Sequence, residues 1–346
     1  MTTSSQGRIN ERTGRTPAEL PIPTLADIFA ARQIVDRYLK PTPLLYSIAL
    51  SEQLGFDLYL KCENLQPVGA FKVRGGIYLM SQLEPEYRSA GVVTASTGNH
   101  GQSIAYAARE FGVKATIYMP EQANPVKVAS MRRLGADIVF HGKDFDESRQ
   151  RAEEDATASG RYFIQSANDD RLVTGVGTYT LEIMQDLPRL DVLLVPVGAG
   201  SGVCGGLIAG KGVNPSLAVY GVQAEGAAVV ADSWRDRALH QYASVDTFAE
   251  GLATRVAFEY PARIMWDRID GFVLVSDDEM RAAMLTLMES AWVVAEGAGA
   301  AATAAAFKMR AELQGKTVCC VVSGGNVPLS GLRDALAKGM AGGAIR

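Results

Sequence analysis

The stretch Val192-Leu-Leu-Val-Pro-Val-Gly-Ala-Gly-Ser-Gly-Val-Cys-Gly-Gly206 passes from an unbroken apolar run into glycines and on into further apolar residues. A run that is apolar at every position reads as a strand covered on both faces, as in a parallel sheet flanked by helices. The glycines allow a sharp turn that points several backbone N–H groups inward. The helix that follows turns its positive end to the same place. Gly198, Ala199, Gly200, Ser201 and Gly202 are therefore candidates to hold a phosphate. No Gly-Lys-Ser/Thr closes the loop, so it is not the P-loop of a nucleotide hydrolase. Gly200, Gly202 and Gly205 do read G-x-G-x-x-G, with Glu225 downstream, but a lone match is weak support for a dinucleotide site. Close packing of helix on sheet is the other reading of the same glycines.

The same alternation extends in both directions. Short apolar strands are expected at Leu58–Cys62, Val92–Ala95, Ala115–Met119, Ile138–Phe140 and Tyr162–Gln165. In the second half they are expected at Val192–Val197, Ala218–Gln223, Phe272–Val275 and Val318–Val322. Helical stretches Gly101–Phe111, Val126–Leu134 and Phe145–Ala158 lie between strands; glycine follows the first two directly, as a C-terminal stop. Thr24 with Asp27 reads as a helix start, and Pro41 and Pro43 as its end. The fold class is α/β with mostly parallel sheets. No linker rich in Pro, Gly or Ser divides the chain, so two doubly wound domains are expected to be interwoven.

With 346 residues, 47% hydrophobic and 21% charged, the chain has enough apolar material for a sizeable core. A net charge of −4 without a basic block excludes an obvious nucleic-acid footprint. No run approaches the roughly 20 apolar residues that span a bilayer. Cys62, Cys204, Cys319 and Cys320 lack metal-type spacing and read as reduced core residues of a cytoplasmic protein. Residues 1–22 read as a disordered arm without the apolar region of a signal peptide.

Three further stretches carry candidate chemistry. Lys72 lies in Pro67-Val-Gly-Ala-Phe-Lys-Val-Arg-Gly-Gly76, beside Phe71. An amine drawn out of water there would lose basicity and become a usable nucleophile. Ala95-Ser-Thr-Gly-Asn-His-Gly-Gln102 gathers hydroxyls and an amide at a strand's C-terminal end, where open α/β sheets bind ligands. His100 there is either catalytic or a helix-start residue that orients its neighbours. In Val321-Val-Ser-Gly-Gly-Asn326, Ser323 sits at another strand tip, as a ligand contact or a turn serine.

Taken together, these stretches resemble the fold type II pyridoxal-phosphate enzymes, the tryptophan synthase β-like fold, and within them the serine/threonine dehydratase and serine racemase group. Lys61-Cys-Glu-Asn-Leu-Gln-Pro67, Gly175-Val-Gly-Thr-Tyr-Thr-Leu-Glu182, Glu250-Gly-Leu-Ala253 and Glu296-Gly-Ala-Gly-Ala-Ala301 add to the match, which runs from about Thr24 to about residue 340. The resemblance implies pyridoxal 5′-phosphate as cofactor, an amino-acid substrate and a homodimer. It implies a large cofactor-binding domain of residues 23–86 plus 169–346 and a small domain of 87–168. Lys72 would bond the cofactor aldehyde and shuttle the Cα proton. Phe71 and Gly251 would shape the pocket, Gly198 to Gly202 would hold the phosphate, and Asn99 would bond the 3′-oxygen. Ser96, Thr97, Asn99 and His100 would line the substrate carboxylate site. Ser323 would meet the pyridine nitrogen; a serine does not keep that nitrogen protonated, which favours β-elimination over transamination.

Some positions depart from the family pattern. The phosphate loop is Gly-Ala-Gly-Ser where four glycines are usual, and Ala70 replaces a common serine. Gln223 stands where metal-binding relatives have Glu and cannot supply charge to Mg²⁺ or Ca²⁺. No metal is expected, with Glu225 a possible substitute ligand. Thr97 stands where racemases place a serine, so a racemase activity stays open. Ala167, in Gln165-Ser-Ala-Asn-Asp-Asp170, would remove bulk near the substrate's β-position and admit a residue such as phenylserine. The expected reaction is dehydration and deamination of threonine, serine or a bulkier β-hydroxy amino acid. The alternatives are a β-replacement synthase, a serine racemase and a non-catalytic anion-binding protein. The chain ends near residue 346, and no response to isoleucine is expected.

Overall fold

The computed structural model describes residues 16–339 and contains two sheets. The larger has six strands in the order β1-β2-β10-β7-β8-β9. These are β1 (Leu44–Tyr46), β2 (Asp57–Lys61), β7 (Val192–Pro196), β8 (Ala218–Ala224), β9 (Gly271–Val275) and β10 (Thr317–Val321). The smaller has four, in the order β5-β4-β3-β6: β3 (Val92–Ala95), β4 (Ala115–Met119), β5 (Asp137–Phe140) and β6 (Tyr162–Phe163). Among these strands every pairing is parallel except β1 with β2.

The apolar runs are two-faced for the expected reason. In β10, Val318 and Cys320 belong to the core on one face, while Cys319 and Val321 belong to the core on the other. In β7, Val192 and Leu194 divide from Leu193 and Val195 in the same way. The period-2 alternation of a strand sends adjacent cysteines to opposite faces. All four cysteines are free and buried.

Expected strands appear with ends shifted by a residue or so. Strand β2 stops at Lys61 because its ladder with β10 ends at Lys61 opposite Val321; the Cys62 N–H turns to Pro43 O instead (3.0 Å). Strand β6 is shorter than Tyr162–Gln165, since it pairs with β3 alone, at two residues. Strand β1 carried no alternation to reveal it; it is a three-residue edge, with Leu44 half-buried and Leu45 and Tyr46 exposed. The helix over Leu25–Val35 starts on Thr24 with the reciprocal Asp27 bond.

The helix Val73–Ser81 contradicts local propensity, with Gly75 and Gly76 in its interior. Tertiary packing is the cause. A Cβ on Gly75 would lie 2.8 Å from Leu172 O, and one on Gly76 would lie 2.5 Å from Ser103 Oγ. Gly175 returns the contact, 2.6 Å from Arg74 O. Three helices thus meet backbone to backbone just behind Lys72.

The expected arm extended to residue 22. Residues 1–15 lie outside the described residues. From Thr16 onward the chain is held: Leu20 is buried in the large-sheet core, Arg263 Nη1 donates to Pro17 O and Leu20 O (2.8 and 3.0 Å), and Tyr260 donates to Pro21 O (2.9 Å). Among the described residues no helix is long and apolar enough to cross a membrane.

Candidate active site

The C-terminal ends of β3, β7 and β10 converge on the loop that carries Lys72. An isolated antiparallel bridge joins Ala70 to Gly324. The Phe71 N–H donates to Ser323 O (3.1 Å), and Gly325 N–H to Gly69 O (2.9 Å). The Lys72 loop is thereby fastened to the turn after β10. On its other side, Ser103 Oγ donates to Lys72 O (2.7 Å).

The Lys72 amine sits 5.1 Å from the Phe71 ring centre. Protein surrounds it closely although part of the side chain still sees solvent. Burial lowers its pKa to about 8, against the opposing pull of the Glu296 carboxylate. The neutral amine that a nucleophile or base needs is therefore about a tenth of the total at pH 7, far more than for a solvated lysine, and half near pH 8.

Beneath the loop lies a closed ionic network. Arg74 donates to Glu63 (2.7 and 2.8 Å), to Glu182 (2.7 and 2.9 Å) and to Thr178 Oγ1 (3.2 Å). Lys61 Nζ pairs with Glu182 (2.5 Å) and donates to Thr42 O (2.8 Å). Burial alone would raise Glu182; Arg74 and Lys61 outweigh it and hold the carboxyl below its usual range. None of these side chains opens on solvent.

The glycine loop sits against Phe71. A Cβ on Gly202 would lie 3.4 Å from the Phe71 ring. Tyr179 packs edge-on against that ring (centres 6.1 Å apart) and donates to Gly202 O (2.9 Å). A Cβ on Gly198 would come within 2.3 Å of Gly251 O. Gly200 takes φ +103°, the left-handed region. The helix Ser201–Val213 begins here, and its first-turn N–H groups lack intrahelical acceptors. Bare backbone, a helix N-terminus and a desolvated amine joined through one aromatic ring suit a ligand with a phosphate at one end and an aldehyde at the other.

The Ser96–His100 loop forms another wall. Ser96 Oγ accepts from Gly98 N (3.2 Å) and Gly101 N (2.9 Å), so its oxygen holds the turn. Thr97 and Asn99 are partly exposed. His100 is buried, with Nε2 3.2 Å from Thr94 Oγ1. That hydroxyl donates its one proton to Ile164 O (2.9 Å), so Nε2 carries the hydrogen toward Thr94. Burial first, then the Lys72 charge, lowers His100 to about 3. Near neutral pH it is an uncharged imidazole that ties the loop to β3.

Two residues of the quoted stretches, Glu296 and Asn326, had no role assigned from the sequence. Asn99 Nδ2 donates to Glu296 Oε1 (2.6 Å), and Asn326 Nδ2 donates to Asn99 Oδ1 (2.8 Å). The one available signal was an acid directly before the apolar helix Gly297–Lys308. Ser323 is buried, its Oγ 3.4 Å from Ala298 O. Ala167 is fully covered, with no surface toward the cleft. Gln223 is committed elsewhere: Nε2 donates to Val197 O (3.1 Å), and Oε1 accepts from Val230 N and Ala231 N (3.1 and 2.8 Å). Glu225 pairs with Lys308 (3.1 Å).

Residues 35–324 match the family described as pyridoxal-phosphate dependent enzyme. The L-threonine ammonia-lyase of Thermotoga maritima is 39% identical over 92% of this chain and 79% of its own length. The catabolic L-threonine dehydratase of Staphylococcus aureus N315 is 36% identical over 92% and 93%. Among solved structures, the processed form of threonine deaminase isoform 2 from Solanum lycopersicum superposes with a TM-score of 0.88, at 32% identity over 94% of this chain and 93% of that one. Maize serine racemase gives 0.87, at 28% identity over 93% and 99%. The chain belongs to the pyridoxal-phosphate dependent enzyme family, which excludes the reading as a non-catalytic anion-binding protein.

Proposed function

We propose, from membership of the pyridoxal-phosphate dependent enzyme family, that this chain is an ammonia-lyase that dehydrates and deaminates L-threonine or L-serine. The observation that carries the reading is the position of the Lys72 amine, of lowered basicity, against the Phe71 ring that also touches the glycine loop. The names of the relatives, threonine ammonia-lyase and threonine dehydratase, support the substrate class.

Gly198–Gly202 would hold the cofactor phosphate, Lys72 its aldehyde, Asn99 its 3′-oxygen and Ser323 its ring nitrogen, with Gly251 closing over Gly198. Pyridoxal phosphate, when bound, draws electrons from Cα of the amino acid and so acidifies its hydrogen. Lys72, with its amine free, would take that hydrogen as general base. The N-terminus of the helix Asn99–Phe111, with Ser96 and Thr97, orients the carboxylate. His100, uncharged, fixes the loop that does this. Ser323 would meet the ring nitrogen as a neutral partner and leave the ring a modest electron sink, which suits loss of the β-hydroxyl, protonated by the hydrogen that Lys72 took up, as water. The released aminoacrylate-type product hydrolyses to a 2-oxo acid and ammonia.

Residues 87–168 would form a small domain over this cleft, and the enzyme would work as a homodimer, which light scattering at twice the chain mass would detect. Turnover of phenylserine rests on Ala167 alone and on no exposed surface there. The test is stoichiometric release of 2-oxo acid and ammonia from L-threonine and L-serine without an added nucleophile. Product only when a thiol is supplied would favour β-replacement. D-serine formed faster than 2-oxo acid would favour racemisation.

A further inference from the structure

The Asn99 amide is held at both ends. Its Oδ1 accepts from Asn326 Nδ2 (2.8 Å), and its Nδ2 donates to Glu296 Oε1 (2.6 Å). Asn326 cannot reverse its own amide without losing the bond from Nδ2 to Val68 O (2.7 Å). The order Val68 O, Asn326, Asn99, Glu296 therefore fixes one orientation throughout. Flipping Asn99 would set its oxygen against the Glu296 carboxylate and its NH₂ against Asn326 Nδ2.

Glu296 itself is seated by the backbone. Its N–H donates to Gly324 O (3.1 Å), and its carboxylate occupies the space beside Gly324. A Cβ on Gly324 would lie 2.4 Å from Glu296 Oε1 and 3.2 Å from Asn99 Nδ2. Asn99, Glu296 and Lys72 are each partly exposed, as walls of an open cleft are.

We propose that Glu296 is a positioning residue: its carboxylate takes one N–H of Asn99 and thereby presents the other N–H to the ligand beside Lys72. An amide has two N–H donors on one nitrogen. With Oδ1 and one donor committed, the remaining donor is the group Asn99 can offer, and it offers it in one direction. The charges that face Glu296 are Lys127 and Lys72, which favour its ionised form, and Glu250, which opposes it. Asn99 supplies a bond to the same form. Burial works the other way and prevails, raising the carboxyl above its ordinary range. Orientation of Asn99 does not depend on that charge, since a carbonyl oxygen accepts the same bond.

The inference rests on Asn99 as donor to the cofactor's 3′-oxygen, and the test separates the two. Pyridoxal phosphate is titrated into cofactor-free wild type, E296A, E296Q and N326A, following visible absorption, with circular dichroism and Tm as fold controls. In E296A, where Asn99 keeps only its bond from Asn326 and its NH₂ is no longer anchored, cofactor binding weakens by about tenfold, as loss of one oriented hydrogen bond to a charged group would, and the absorption maximum shifts. E296Q, whose side-chain oxygen can replace Oε1, restores affinity and maximum to near wild type. N326A, which frees the other end, resembles E296A and decides the matter should E296A not fold. Wild-type affinity in both E296A and N326A overturns the inference. So does equal loss in E296Q and E296A, which would make charge, not orientation, the operative property. Failure of the wild type to take up cofactor would strike the underlying reading instead.

Discussion

Replacing Arg74 by methionine should cost this protein about 3–5 kcal/mol, the usual penalty for breaking a buried ion pair by removing one partner. The magnitude follows from what is left behind. In the wild type Arg74 and Lys61 balance Glu63 and Glu182, and the guanidinium spends its donors on those carboxylates and Thr178. The R74M variant would leave two buried carboxylates facing Lys61 alone. Glu63 would keep its bond from Thr42 (2.5 Å) and lose its cation. Against a total stability of roughly 5–15 kcal/mol the variant would be marginal. The pH dependence has a definite sign. An unpaired buried carboxylate has a folded pKa above its unfolded value, so its penalty is present at high pH and shrinks as pH falls through the folded pKa. In the wild type, Glu182 lies below its usual range, so its contribution is present above the unfolded pKa and lost as pH falls through the folded one. The deficit of R74M should therefore narrow between pH 7 and pH 5. Urea midpoints at a series of pH values measure it. A deficit under about 1 kcal/mol, or one constant with pH, would refute the assignment of Arg74 as counter-ion to both carboxylates. Arg74 lies two residues from Lys72, so R74K, which keeps the charge but not the fork, should fold better than R74M and still bind cofactor less tightly.

Other outcomes follow from the same geometry. Lys72→Ala should abolish 2-oxo acid formation by about three orders of magnitude or more, with loss of the visible cofactor absorption; retention of both would remove Lys72 from its role. Capture of pyridoxal phosphate by cofactor-free wild type needs the neutral amine, so its rate should climb with pH and level off above about 8; stopped-flow absorbance at several pH values would show it. In Gly198→Ala the new Cβ, 2.3 Å from Gly251 O, must displace backbone, and phosphate-dependent affinity should fall about tenfold or more; isothermal titration against pyridoxal and pyridoxal phosphate isolates the phosphate contribution. Thr97→Ala should reduce D-serine formation from L-serine more than 2-oxo acid formation, if Thr97 protonates the second face; equal losses, read by chiral chromatography, would assign it to carboxylate binding alone.

The glycine loops, the apolar strands and Lys72 were legible because each is a local pattern. Strand β7 announces itself by the apolar run Val192–Val197 leading into Gly198, and the helix from Leu25 by Thr24 and Asp27. The helix Val73–Ser81 was not legible, because its glycines serve neighbours about 30 and 100 residues away, near Ser103 and Leu172. Glu296 and Asn326 escaped for the same reason. Nothing beside them in sequence shows that Asn99 lies between them.

The α/β alternation, the candidate phosphate loop and a lysine set beside Phe71 among glycines were readable from the chain alone, since strand period, glycine turns and helix starts depend on residues a few positions apart. Three properties were not: that Lys72 is desolvated, that His100 is neutral and bound to Thr94, and that Asn99 has one orientation. Those arise from burial and from hydrogen bonds between distant segments, and neither exists until β3, β7 and β10 bring their loops to one point.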